Sequence, residues 1–443
     1  MEEEGMKENY SLIKNKIKTG VACFLIIMFV GFCLNVLSFL LPQEPIHNHI
    51  VNSIGSFQSE GGFPQLVHGY KETTLDNNSD AWMLLMCDYN GKESFWKKAM
   101  GGYYHIYPTE ANSGLVGMDH LPEIQNNLPI STNSYSRYWH GWLFFIRFAL
   151  LFFDYSDIRM INMFLQFLLI IACFICLDRK KLSDYSLALG TAFLILVPIA
   201  TAISFEYSFI FYIVTISYLC ILCFHDKIEK QLGYSLFFMI LGMTTSYFDF
   251  LTFPILTLGM PLTLLLILDR QSANSSGLIL SKWVIKYSIF WAIGYSGMWC
   301  SKWILGSIVL HRNLFTEALD QVVLRTSHTD GIGVGVVDLQ KIGYRATVMR
   351  NIETLVKKPY ILLVLMELII YLTKIEWFNR SNSVYKQFFK LFPYLLIAIM
   401  PFVWWYVLMN HSFIHNHFTY RSIALSVYAV LCGIYTLKKE HSK

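Results

Sequence analysis

From residue 20 to residue 41 the chain carries no charged side chain. A helix needs about 20 such residues to cross the hydrocarbon core, where helices and closed barrels alone satisfy their own backbone. Comparable runs recur at 158–177, 184–204, 207–224, 232–250, 252–268, 283–309, 358–373, 391–409 and 419–437. These predict an all-α polytopic membrane protein with about ten transmembrane helices. Only 15% of the 443 residues are charged, against about a quarter in soluble domains.

Loop charge sets the orientation. Lys14, Lys16 and Lys18 precede the first run and hold residues 1–19 in the cytoplasm, so residues 20–41 read as a retained anchor. Residues 42–157 then form a long extracytoplasmic loop. Within it, 138–153 carries Arg137, His140 and Arg147 in or beside its sixteen residues. That is short for a span, so it is expected to lie flat as an interfacial helix, with Trp and Tyr at headgroup depth. Spans two to seven occupy 158–309, a second outer loop 310–357, and spans eight to ten 358–437. The tail, 438–443, returns to the cytoplasm. Basic residues mark the inner loops at 178–181, 225–230, 270–282 and 374–390, whereas the short outer loops near 205, 251 and 410–418 carry no Lys or Arg. This fits a multi-pass protein of the cell membrane with the bilayer as its partner. The net charge of +4 reflects the cytoplasmic Lys and Arg and gives no nucleic-acid surface. Eight of nine cysteines sit in apolar runs and Cys87 alone in the first outer loop, so no disulfide is expected.

The candidate chemistry gathers at the outer face. Residues 72–89 hold Asp76 and Asp80 at i and i+4. One carboxylate could take a proton from an acceptor hydroxyl while the other positions it or binds a divalent cation. Asp80 could equally cap the helix that starts at Ala81. Glu44, just past the first span, is the competing acid. In 136–142, SRYWHGW, Arg137 and His140 suit a phosphate at headgroup level. The second outer loop brings Arg312, Arg325, Arg345 and Arg350, residues that grip phosphates bidentately, and the run GIGVGV at 331–336, too weak to mark a nucleotide loop. In 410–421, His415, Tyr420 and Arg421 could bind substrate, and an arginine inside the bilayer edge is costly unless it has a role. Glu206 and Asp249 are acids at outer helix ends, candidates for the same reason.

The stretch 138–169, an interfacial helix running through a short turn into a span that opens with arginine, resembles the corresponding junction in the GT-C superfamily of integral-membrane glycosyltransferases. Those enzymes share the cytoplasmic N-terminus, the first span and the long outer loop with a catalytic Asp or Glu. Aminoarabinose and protein mannosyl transferases carry a Lys-Pro-Pro run where this chain has Arg137-Tyr138-Trp139-His140. The resemblance implies an extracytoplasmic site and transfer of a sugar from a polyprenyl-phosphate donor to a glycan, lipid or cell-wall polymer. Asp76, Asp80 or Glu44 would be the base, and Arg137, Arg345 or Arg421 would hold the phosphate. A divalent cation, Mg or Mn, stays open, with Asp76 and Asp80 as its ligands. The alternatives are a flippase or transporter, which would place charges near the bilayer midplane, and a polymerase of lipid-linked saccharides.

Overall fold

A computed structural model describes residues 2–111, 113–272, 275–332, 340–355, 358–373 and 384–441. Most of the GIGVGV run, most of the 374–390 loop and the last two residues lie outside the described residues. The protein is mostly helical. Among the described residues five helices are long and apolar enough to cross a membrane: Lys14–Ser38, Tyr155–Arg179, Phe205–Leu232, Phe388–Val407 and Asn416–Leu437. Shorter apolar helices run over Ser183–Leu196, Tyr234–Phe248 and Ile361–Ile370.

The first helix, α1 (Glu2–Ser38), ends four residues before Pro42. Pro42 caps α2 (Gln43–Glu60), which buries Ile46, Ile50, Ile54 and Phe57. That i, i+4, i+8 spacing makes one apolar stripe, each residue worth about 1.5–3 kcal/mol. The stripe packs in one core with α3 (Asn77–Asp88). A two-stranded antiparallel hairpin, β1 (Tyr103–Ile106) and β2 (Ser131–Ser134), pairs Tyr103 with Ser134 and Ile106 with Ser131. It is the one sheet among the described residues and was not foreseen in an all-helical reading.

The stretch 138–153 departs from the flat interfacial helix. Helix is confined to α4 (Trp142–Ala149), preceded by a turn in which His140 has φ 55°. Trp139 and Trp142 are 1% and 0% exposed and are not headgroup anchors. Trp139 donates Nε1–H to the Met298 carbonyl at 2.7 Å, and its own carbonyl accepts from Asn35 at 2.6 Å. Arg147 is buried too. It donates to the carbonyls of Ser38 and Cys87 and to Gln43 Oε1, so one guanidinium joins the ends of α1 and α3 to the start of α2. The segment is a wedge between the outer segment and the helical bundle. Phe145, Phe148 and Phe152 are its exposed aromatics.

The bundle continues with α5 (Tyr155–Arg179), α6 (Ser186–Leu196), α7 (Phe205–Lys227), α8 (Tyr234–Phe248), α9 (Ile255–Ser272) and α10 (Gly277–Leu310). The run 184–204 is broken at Val197, which adopts φ 55° before Pro198, because a proline disfavours helical backbone in the residue before it. The closest pairing is α8 with α10. A Cβ on Gly242 would strike the Trp291 backbone, and one on Gly294 the Met239 backbone. Small residues at a crossing let two helix backbones approach this way in membranes. After α10 come the amphipathic α11 (Leu314–Thr326) and α12 (Tyr344–Leu355). Then follow α13 (Lys358–Thr373), α14 (Val384–Ala398), α15 (Met400–Val407), α16 (Met409–Ile414) and α17 (Ile423–His441).

Candidate active site

Asp76 is the N-cap of α3, its Oδ1 accepting from Ser79 N at 2.8 Å. The intervening residues are tied outward. Asn77 donates to Glu60 and the Gly61 carbonyl, each at 2.9 Å, and Asn78 accepts from Gly117 N at 3.0 Å. The cap therefore fixes where Asp76 points, which is into a cavity of about 850 Å³. His417 Nε2 meets Asp76 Oδ2 at 3.3 Å across that space. Glu206, at the start of α7, lines the same cavity as Asp76.

Asp80 has a different surrounding. Its side chain is completely buried and accepts from Tyr155 Oη at 2.6 Å, Phe205 N at 2.9 Å and Glu206 N at 3.0 Å. It caps α7 from another element, satisfying two N–H groups that a helix start leaves open and meeting the positive end of the dipole. Burial raises its carboxyl to about 6, against the hydrogen bond from Tyr155 and the charge of Arg159. Arg159 completes the clamp. Its guanidinium donates to Glu60 at 2.8 Å, Asn77 Oδ1 at 2.8 Å, Tyr155 Oη at 2.7 Å and the Ile203 carbonyl at 3.0 Å. Asp76 and Glu206 are thus set by one buried network crossing α2, α3, α5 and α7.

The opposite wall is basic. Arg137 pairs with Glu317 at 3.2 Å and lies over the Tyr135 ring. Arg325, in the last turn of α11, donates to His415 Nε2 at 3.2 Å. The Nε–H groups of both arginines are buried, with no acceptor among the described residues. Burial pushes His411 down to about 3 and His415 well below its ordinary value, aided by the Arg325 charge, so both rings stay neutral. His411 donates Nε2–H to the Leu251 carbonyl at 2.8 Å, which leaves Nδ1 as an open acceptor. Arg137, Tyr138, Gln321 and Arg325 also line a second, apolar space of about 200 Å³ that continues past Trp299 and Trp404. The two guanidiniums stand where a polar cavity meets a hydrocarbon-like slot.

The sequence-predicted residues divide. Asp76, Arg137, Glu206 and His415 line the cavity together. Asp80 sits behind it. His140 lies behind the wall, donating to the Tyr135 carbonyl at 2.7 Å. Asp249 is turned onto its own loop, accepting from Leu251 N and Thr252 N at 2.9 Å each. Tyr420 and Arg421 are buried and bind the Glu72 carbonyl, with Arg421 also donating to the carbonyls of Leu196 and His417, so they brace the wall. Glu44 and Arg345 are exposed and away from the cavity lining. In place of Arg345, the same helix presents Arg350 and Glu353 to the cavity. Arg325 was legible as one of the loop arginines. Its place was not drawn from the pattern, although Ala318, Gln321, Val322 and Arg325 share one helical face at i, i+3, i+4, i+7. Among the described residues no group of three or more His, Cys, Asp or Glu could hold a metal ion, and Asp76 and Asp80 face different surroundings, the first the cavity and the second the start of α7.

Compared with protein-family models, curated proteins and solved structures, the chain matches none.

Proposed function

We propose that the protein is a membrane glycosyltransferase that moves a sugar from a polyprenyl-phosphate donor to an acceptor hydroxyl outside the cell. The observation that carries this reading is the cavity itself. It pairs the carboxyls of Asp76 and Glu206 with two half-buried guanidiniums, Arg137 and Arg325, whose buried Nε–H groups lack acceptors among the described residues, at the mouth of an apolar slot. A sugar linked through phosphate to a long hydrocarbon has the same order of parts. The phosphate lies between Arg137 and Arg325, the first carbons of the tail enter past Trp299 and Trp404, and the sugar fills the cavity. Preorganised donors that neutralise a leaving phosphate supply much of the barrier reduction in such transfers.

In the reaction, the acceptor oxygen attacks the anomeric carbon as Asp76 takes its proton. The bond from that carbon to the phosphate oxygen breaks, and polyprenyl phosphate leaves against the two arginines. The new bond forms on the face opposite the departing phosphate, so the configuration inverts. His417 meets Asp76 Oδ2 from within the cavity, and the neutral His411 offers Nδ1 to a sugar hydroxyl. The ten-span topology, with both termini cytoplasmic and the cavity facing outward in the cell membrane, belongs to this proposal. The basic inner loops and the five long apolar helices support it. The test is single-turnover transfer by purified protein in nanodiscs with a polyprenyl-phosphate sugar. Arg325→Gln should weaken donor binding, and Asp76→Asn should stop transfer while donor binding persists. Donor binding that is unchanged by both Arg137→Gln and Arg325→Gln would sink the reading.

A further inference from the structure

A second apolar space, about 590 Å³, lies on the other side of α7. Its floor is α7 from Phe205 to Cys220, and its sides are α5 and α8, with α4 across one end. Over that length the helix rises about 22 Å, room for one acyl chain laid along the helix, since one leaflet of the hydrocarbon core is about 15 Å deep. It carries no charged side chain. The polar residues in it are already satisfied within the protein. Asn162 donates to Ser208 at 2.7 Å and accepts from Tyr212 at 2.5 Å, Ser217 donates to Val214 O at 2.9 Å, and Thr244 donates to Ile240 O at 3.0 Å. A ligand therefore meets hydrocarbon and spent hydrogen bonds. The groove is continuous with a face of α5 and α7 on which Met160, Phe164, Ile171 and Ile216 are exposed, the kind of face a spanning helix turns to lipid.

We infer that this groove is a binding site for one acyl chain of a bilayer lipid whose headgroup carries no net charge. The headgroup preference follows from the rim. The end bordered by α4 meets the start of α5, which carries Asp154 and Asp157. The cations beside that end are committed, Arg147 of α4 to the carbonyls of Ser38 and Cys87 and to Gln43, and Arg159 of α5 to Glu60. An anionic head would face acids. The far end closes at Cys220 and Phe237, short of Lys227. Phe205 lines the groove and Glu206 the polar cavity, so the chain packs against the helical turn that bears a cavity carboxyl. The inference stands apart from the transferase reading, because it concerns occupancy and not sugar transfer.

The experiment is photolabelling of the full chain in nanodiscs doped with a diazirine-acyl phosphatidylethanolamine or the matching phosphatidylglycerol, with labelled peptides mapped by mass spectrometry. Labelling should concentrate on Ser208–Cys220 and Ile240–Thr244 and be stronger with phosphatidylethanolamine. Thr244→Trp and, independently, Ile216→Trp fill the groove and should abolish that labelling, while the exposed stretch Phe167–Ile175, outside the groove lining, stays labelled as the measure of ordinary boundary lipid. Two variants guard against one failing to fold, which the persistence of Phe167–Ile175 labelling and an unchanged melting temperature report. Groove labelling no stronger than on Phe167–Ile175, or insensitive to both tryptophans, would overturn the site. Stronger labelling by phosphatidylglycerol would overturn the headgroup assignment.

Discussion

Asp76 and Asp80 are four residues apart, and replacing each by asparagine should have opposite consequences. At Asp76 the cap to Ser79 N survives, because Asn caps helices as well as Asp does, and stability should stay within about 0.5 kcal/mol of wild type. What disappears is the base. General-base catalysis contributes about 10²- to 10⁴-fold, so transfer should fall by that factor, equivalent to about 3–5 kcal/mol of barrier. At Asp80 the two oxygens serve different donors. Oδ1 takes Glu206 N, and Oδ2 takes Phe205 N and Tyr155 Oη. An amide turns its NH₂ on one of the two backbone N–H groups whichever way it sits. Losing one charge-assisted bond costs about 1.5–3 kcal/mol, and the stranded donors add about 1–3. Against this, the rise from 3.8 to about 6 means that burying the charge costs roughly 3 kcal/mol, which the amide relieves. The net expectation is a loss of roughly 2 kcal/mol in stability, with most of the activity retained per folded molecule. Thermal unfolding in detergent and transfer at matched folded protein measure both. If Asp80→Asn abolished transfer at wild-type stability while Asp76→Asn remained active, the division into base and cap would be refuted.

Other outcomes follow from the same geometry. Asp80 is held above the ordinary carboxylate range, so the folded state keeps a proton there that the unfolded chain gives up. Stability should fall by roughly 3 kcal/mol as pH rises from about 4 through about 6, and pH-dependent melting of Asp80→Asn should lack that component. Tyr155→Phe removes both the donor to Asp80 and the acceptor for Arg159 Nη2, and should cost about 1–3 kcal/mol in denaturant or thermal unfolding. Arg325→Lys should still raise KM for the donor about tenfold, because an ammonium cannot span a phosphate as a guanidinium does. Val407→Trp, at the wall of the apolar slot, should raise KM for a long-chain donor and spare a short-chain one in the same transfer assay.

The sequence made the helices legible because apolar runs of that length have few other uses, and most residues of the expected runs are helical, although five helices among the described residues are long and apolar enough to cross a membrane. It also brought Asp76, Glu206, Arg137 and His415 to one face, since each stood at a polar break beside an apolar run. What it could not supply were partners distant in sequence. Asp80 looked like a local cap because its true partners, Phe205 and Glu206, lie 125 and 126 residues on. Arg345 and Arg350 differ by which side of an amphipathic helix faces inward, and that is decided by Thr347, Asn351 and Thr354 packing below. Trp139 and Trp142 matched the pattern of membrane-surface aromatics. Trp139 is held inward by the carbonyl of Met298 and the side chain of Asn35, on helices made far later and earlier, and Trp142 packs into the core shared by α2 and α3.

The cap that Asp80 places on α7 also bears on how the molecule is made. Chains emerge from the ribosome N-terminus first and segments fold as they appear. The outer segment is complete in sequence by residue 153, yet its buried aspartate has no backbone donors until residues 205 and 206 have been synthesised and delivered to the same side. A nascent chain halted before α7 would leave that acid open to water, without the two N–H groups that receive it in the folded protein. The outer segment cannot finish folding ahead of the bundle, and the two carboxyls of the cavity come together only at the moment the membrane part is sufficiently assembled to hold them.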